Sequence, residues 1–309
     1  MQRIDKATER YVMQALVTDV EICGDVLRVV TQGAPDLQVE SPADLLGQLR
    51  VHHDDYRRFL LEPPRGHQDV NACLLYPSFS EQARASLVVA AQFGYAPVAG
   101  TMVMAASAVL ADQDPQPLSE RSMQFDTAAG PQLAVLSRDG EVSWKSAPPK
   151  VLAAGGRLEV LGRKVRFTIV DTGMIYVVAE VSDLGCAMTD RAALSHVGQA
   201  VAAAAQQLMP LSTLDLPHVP DAYLVMLVGQ KRADGVDVAW VSADGLVAHS
   251  AGGTGALAVL EHVSQSKVWD RSHWLTVSAP GGAFDCVIRK TEAWVRAKPR
   301  IIQRHQLLA

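Results

Sequence analysis

The stretch "GLVAHSAGGTGALAVL", residues 245–260, begins like a strand, passes through a short glycine turn and enters an apolar helix. The turn, Gly252-Gly253-Thr254-Gly255, leaves the first amides of that helix without intrahelical partners. They point at whatever lies above the helix start, which makes a ready seat for an anion. The turn itself holds no Cys, Lys or carboxylate. The pattern recurs in the other half of the chain. Val98-Ala99-Gly100-Thr101 leads into TMVMAASAVL much as Ala251-Gly252-Gly253-Thr254 leads into TGALAVLEHV. Two such starts facing each other would place the positive ends of two helix dipoles on one small anion. Small residues that let two buried helices pack closely would leave the same pattern, and both readings stand at this point.

Around these two turns the chain reads as an ordinary globular protein. Its 309 residues are 49% hydrophobic and 20% charged, with a net charge of −5 and no Lys/Arg cluster, which argues against nucleic acid as a partner. Cys23, Cys73, Cys186 and Cys286 fit no CxxC or zinc spacing and read as free, packed thiols of a cytoplasmic protein. His52 and His53 lack further ligands at useful spacing, so no metal is expected. Residues 86–111 carry no charge, but Gly94, Pro97 and Gly100 interrupt them. A membrane helix of about 20 residues does not fit, and a buried strand followed by a buried helix does. No membrane association is expected.

The remaining elements alternate. LRVVTQGAPDL is a strand entering a turn, and Ser41-Pro42-Ala43-Asp44 starts a helix with a capping serine and proline at its first position. Leu45, Leu46, Leu49, Tyr56, Phe59 and Leu60 continue at helical spacing to Pro63-Pro64. The middle is strand-rich, with a hairpin turn at Asp139-Gly140 and a strand pair in KVRFTIVDTGMIYVVAEV. Thr189-Asp190 starts an alanine-rich helix to about Met209, and AYLVMLV and VDVAWVS are strands. The order predicts an α/β (α+β) protein in two halves.

Several segments resemble the proline racemase and 4-hydroxyproline epimerase family. Arg65-Gly66-His67-Gln68-Asp69 resembles its EPRGHxDM segment, HHDDYRRFL its EHHDxLRR helix, and Gly24-Asp25-Val26-Leu27-Arg28-Val29-Val30 its GEPxRVV strand. Gly33-Ala34-Pro35-Asp36-Leu37 resembles its GGxPxL turn, and the two glycine turns resemble its DRSPCGTGTSA and MCGHGTIG segments. The resemblance implies a diaminopimelate epimerase-like fold. Two pseudo-symmetric halves, each a barrel-like sheet around a central helix, flank a ligand cleft. Residues 1–124 plus 285–309 are expected in one half and 125–284 in the other. It also implies a small amino acid or carboxylate as ligand, no cofactor, and leaves a homodimer open.

The family's chemistry places the substrate carboxylate on the two helix starts, with a thiol on each face of the α-carbon to take and return its proton. Both thiol positions are changed here: the first falls on Ala99 and the second on Gly252. The family's nearby histidine becomes Thr101, its aspartate Ala248 and its arginine His249. Gly100, Gly253, Thr254 and Gly255 keep the seat. The resemblance thus implies Gly100, Thr101, His218, Ala248, Gly253 and Thr254 as substrate-binding residues. Glu21, Asp171 and His249, gained at motif positions, are the candidates for a relocated acid or base. His67 and Asp69 are expected to shape the chain rather than move protons. Three functions remain open: a divergent isomerase or dehydratase, a catalytically inactive binder of a small carboxylate or partner subunit, and a structural relic.

Overall fold

The computed structural model of the chain describes residues 13–114, 121–214, 223–265 and 269–309. Strands β1 (Gln14–Ile22) and β2 (Asp25–Gln32) form a hairpin over the two-residue turn Cys23-Gly24, both at positive φ, as the right-handed strand twist demands. Helices α1 (Pro42–His52) and α2 (Asp54–Leu61) carry the chain to β3 (Val70–Tyr76), which lies parallel beside β2. Next come β4 (Ala85–Ala91), the short β5 (Gly94–Ala96) and α3 (Gly100–Gln113). The uncharged run is therefore a buried strand followed by a buried helix, as its composition predicts. Strand β6 (Arg121–Asp126) lies parallel beside β4, and β7 (Gln132–Leu136) and β8 (Val142–Ser146) complete a meander.

The same order then repeats. Strands β9 (Lys150–Val160) and β10 (Arg163–Asp171) form a hairpin, and β10 pairs with β11 (Ile175–Glu180). Helices α4 (Val181–Leu184) and α5 (Arg191–Leu208) lead to β12 (Leu224–Lys231), parallel beside β11. Strand β13 (Gly235–Val241) precedes α6 (Gly253–Ser264), and β14 (Leu275–Ala279) lies parallel beside β13. A meander through β15 (Gly282–Ile288) and β16 (Ala293–Ala297) follows, and β17 (Arg300–Leu308) returns to pair with β1 as β9 pairs with β10. Antiparallel pairing of β8 with β16 joins the two repeats.

Each repeat wraps its strands around one helix. Helix α3 packs against β1, β2, β3, β7, β8 and β17, and α6 against β10, β11, β12, β14, β15 and β16. A helix enclosed on every side must be apolar on every side, which accounts for Met102–Ala106 and Ala256–Leu260, buried throughout. The two helices share one continuous hydrophobic core. Helix α5 closes a second core on the outside of β9–β13, and α1 and α2 close a third over β1–β4.

Two expectations shift. The run from Leu45 to Leu60 is two helices, because the chain leaves helical geometry at His53 (φ −134°, ψ 33°). The Tyr95 hydroxyl donates to the His53 carbonyl at that break. Strand pairing also moves the crossings between repeats. β6 to β8 belong with β4, and β15 and β16 with β14, so the expected crossings at 124/125 and 284/285 fall inside β6 and β15. Strand β9 pairs onward with β10, and β17 with β1.

Candidate functional site

Helices α3 and α6 start against one another. A Cβ placed on Gly253 would lie 3.4 Å from the Gly100 Cα. Trp144 of β8 fills the space behind both starts, with its indole N–H donating to Gln132 Oε1 at 3.0 Å. A Cβ on Gly100 would fall 2.2 Å from the Trp144 ring, so only glycine permits this approach. Neither helix has a side-chain cap, since Ala99 and Gly252 stand at the N-cap positions. Gly252 adopts φ 65°, a backbone region that disfavours L side chains. The first amides of both helices therefore border one place with no side chain to satisfy them.

That place is a cavity of about 310 Å³. Ala99, Thr101, Gly252, Gly253 and Thr254 line it at the helix starts, and Ala248 and His249 line it from the preceding loop. Its walls are largely apolar, with Leu27, Met102, Met174 and Trp240 among them. Gly100 lies just behind, against Trp144. The Tyr176 hydroxyl is 2.9 Å from Thr254 Oγ1, and burial pushes the phenol up to about 12, so it stays neutral.

The structure separates the acid and base candidates. His249 lines the cavity with an exposed side chain, and its carbonyl accepts from the Gly281 amide. Glu21 and Asp171 do not line it. Glu21 Oε1 accepts from the Gly24 amide at 2.8 Å and its other oxygen pairs with Arg300, whereas Asp171 accepts from the Gly173 amide at 2.8 Å. Both carboxylates close turns at strand ends. His218 lies outside the described residues. Asp69, expected to be structural, lines the cavity beside Gln68.

A further carboxyl, which lies in a matched motif segment but is not among the candidates, lines the cavity. Asp25 opens β2 at the cavity wall. Burial pushes it up to about 7; the Asp69 and Glu21 charges add to the rise and a hydrogen bond with Ser250 opposes it. Ser250 Oγ in turn accepts from the Gly252 amide at 3.1 Å. Asp25, Ser250 and Gly252 all line the cavity. The signal in the sequence was its place at the acidic position of the GEPxRVV match, directly after a turn glycine and at the head of the strand DVLRVV.

None of the four cysteines lines the cavity. Burial pushes Cys23 up to about 12, with its Sγ donating to the Ala283 carbonyl, and raises Cys73, Cys186 and Cys286 as well.

Comparison with known proteins agrees with this architecture. A trans-L-3-hydroxyproline dehydratase from Bos taurus is 27% identical over 233 residues, a match that spans 72% of this chain and 65% of that enzyme's length. The crystal structure of a hydroxyproline epimerase from Agrobacterium vitis with bound trans-4-hydroxy-L-proline superposes with a TM-score of 0.82 at 20% identity, covering 97% of this chain and 94% of that one. A probable proline racemase from Agrobacterium radiobacter K84 with bound carbonate gives a TM-score of 0.82 at 18% identity, covering 94% and 92%. At such identities the superpositions carry the fold alone. The proline racemase family model matches residues 17–304, a span that runs through both repeats and both helix starts. The chain belongs to the proline racemase family.

Proposed function

We propose that this protein binds a small amino or hydroxy acid, of the size and shape of a hydroxyproline, by its carboxylate on the amides of α3 and α6. We propose further that it is a divergent isomerase or dehydratase of its family that does not work through a thiol pair. One observation carries the binding reading: two uncapped helix starts meet at one cavity, within contact distance of each other. Two sets of free amides and two dipole ends favour an anion there more than one would. The ligands named for the two related crystal structures, trans-4-hydroxy-L-proline and carbonate, both carry a group such a seat accepts. Apolar walls beyond the seat suit a compact carbon skeleton.

Ala99 and Gly252 exchange no protons, so two-thiol racemisation has no carriers here. The same two residues favour a second reading, a binder that has lost catalysis altogether.

The test of the seat is calorimetric titration with L-proline, trans-3-hydroxy-L-proline and trans-4-hydroxy-L-proline, on wild type and on Gly253→Val. The expected result is binding by wild type and none by the variant, whose branched side chain crowds the Gly100 backbone. Circular dichroism confirms that the variant is folded. Equal affinity in a folded variant rejects the seat.

A further inference from the structure

We propose that Asp25 is the proton carrier of this cavity, acting on one face of the α-carbon alone, so that the protein exchanges or eliminates an α-proton without inverting the centre. This rests on the carboxylate seat proposed above.

Position selects Asp25. The ionisable side chains that line the cavity are Asp25, Asp69, Asp244, His249 and the phenol of Tyr176. Asp244 and His249 are exposed at the rim, and Ser242 donates to Asp244. Asp69 is about one-third exposed and lies 3.9 Å from the His67 ring. Tyr176 is committed to Thr254. The turn that precedes Asp25 abuts the loop before α6, since a Cβ on Gly24 would lie 3.3 Å from the His249 Cβ, and the next residue of that loop, Ser250, accepts from the amide of Gly252, the residue that stands where a thiol is missing. Asp25 therefore serves the Gly252 side. The Ala99 side offers a methyl group, the Thr101 hydroxyl and apolar neighbours such as Val98 and Met102, with no ionisable side chain among them. The Gly252 side therefore has an ionisable carrier and the Ala99 side has none.

The groups facing Asp25 set its titration. Glu21 on β1 and Asp69 before β3 raise it, and the Ser250 hydroxyl lowers it. His249 follows Ala248 at the same wall, and Arg300 of β17 is held by Glu21. A carboxyl held near 7 is half ionised at neutral pH, which suits a group that must both take and give a proton.

The step balances simply. The Asp25 carboxylate takes the α-proton, and the C–H electron pair moves onto the α-carbon and into the carboxylate seated on the helix amides. The resulting carboxylic acid exchanges with solvent and returns a proton to the same face. Where the β-carbon carries a hydroxyl, the pair instead expels it. The hydroxyl leaves as water with the proton from Asp25, and the carboxylate is regenerated.

The experiment incubates wild type in D₂O with trans-3-hydroxy-L-proline and trans-4-hydroxy-L-proline. Loss of the α-proton is followed by NMR, epimer by chiral chromatography, and binding by calorimetry on the same samples. The expected result is deuterium incorporation, or elimination from the 3-hydroxy compound, with no epimer and a rate that rises with pH through about 7. Asp25→Asn should bind as wild type does and lose about 10²–10⁴-fold of the rate. Asp171→Asn, at a turn outside the cavity, should retain it.

The contrary outcomes separate. Epimer formed by wild type shows a carrier on the second face and overturns the proposal. So does a rate that survives Asp25→Asn and is lost in His249→Ala. Binding by wild type without exchange or elimination overturns Asp25 and leaves the seat standing. Absence of binding removes the seat and this proposal with it. Should Asp25→Asn fail to fold, the wild-type pH profile decides, because a rate that is flat between pH 5 and pH 9 excludes a carrier titrating near 7.

Discussion

At the scale of single residues, the pH dependence of stability gives the most direct check on Asp25. Its folded-state value of about 7 lies above the ordinary 3.8, so between those limits the folded protein keeps a proton that the unfolded chain has released. Stability therefore falls as pH rises through this window and is lowest above it. Each pH unit is worth about 1.4 kcal/mol, which bounds the effect at about 4 kcal/mol, less for a group open to the cavity. Asp25→Asn removes the penalty. Its melting temperature should exceed that of wild type at pH 8 and meet it near pH 4; parallel curves at all pH values would show an ordinary carboxyl. The same neighbourhood explains why returning the thiols should not return the racemase. Gly252 has open space for a Cβ, but its φ of 65° strains any side chain, and an ionised Asp25 nearby disfavours the thiolate. An ordinary thiol is mostly protonated at neutral pH, and Thr101 and Ala248 offer the substrate nitrogen neither ring nor charge. Ala99→Cys with Gly252→Cys should stay folded and racemise L-proline no faster than buffer, by polarimetry. Clear racemisation would mean that the pocket still fits proline.

At the scale of elements, one substitution should give opposite signs in two helices. Gly47, exposed in the middle of α1, has nothing within 4 Å of an added Cβ, so Gly47→Ala should stabilise by about 0.5–1 kcal/mol through helix propensity. Gly100→Ala puts the same methyl 2.2 Å from the Trp144 ring in a closed core, where overpacking costs about 1–3 kcal/mol or more. Urea denaturation of both variants reads the pair; equal signs would refute the close approach of α3 to β8. Local features of this kind were legible in the sequence. Ser41 caps α1 by accepting from the Asp44 amide, Asp190 caps α5 by accepting from the Ala193 amide, and the glycine–threonine echo marks the starts of α3 and α6. Each is written within a few consecutive residues. What escaped depends on distant partners. The break at His53 is fixed by Tyr95, and Asp25 meets Ser250, far along the chain, only in the lining of the folded cavity. Glu21 and Asp171 looked like candidate bases because they sit at motif positions, yet each is satisfied by an amide two or three residues away. The crossings between repeats escaped for the same reason, since hydrophobic alternation identifies β6 and β15 as strands without naming the strands they pair with.

At the scale of the whole molecule, the two repeats meet through a shared core and at several joints. Strand β8 pairs with β16, the Cys23-Gly24 turn packs on Gly281 and Gly282, and α3 touches α6 at the glycine starts, with Trp144 of the first repeat wedged behind both. A ligand held by amides from both helices adds a further junction. Anything that binds only the assembled pair stabilises the folded state by RT ln(1 + [L]/Kd), about 2.7 kcal/mol at a hundredfold excess over Kd. Because the junction is shared, that stabilisation should reach both repeats. Hydrogen exchange with saturating trans-4-hydroxy-L-proline should slow together in the first turns of α3 and α6 and in the β8–β16 ladder. In Gly253→Val, where the block lies in the second repeat, the slowing at α3 in the first should vanish as well. A seat built by α6 alone would behave otherwise, with protection confined to residues 252–256 and α3 unaffected by either ligand or variant. Both helix starts are buried and close-packed before any ligand arrives, Thr101 at 6% exposure and Thr254 at 5%. The protein therefore has little to rearrange on binding, and joint protection without a change in overall shape is the pattern that a preformed, shared seat requires.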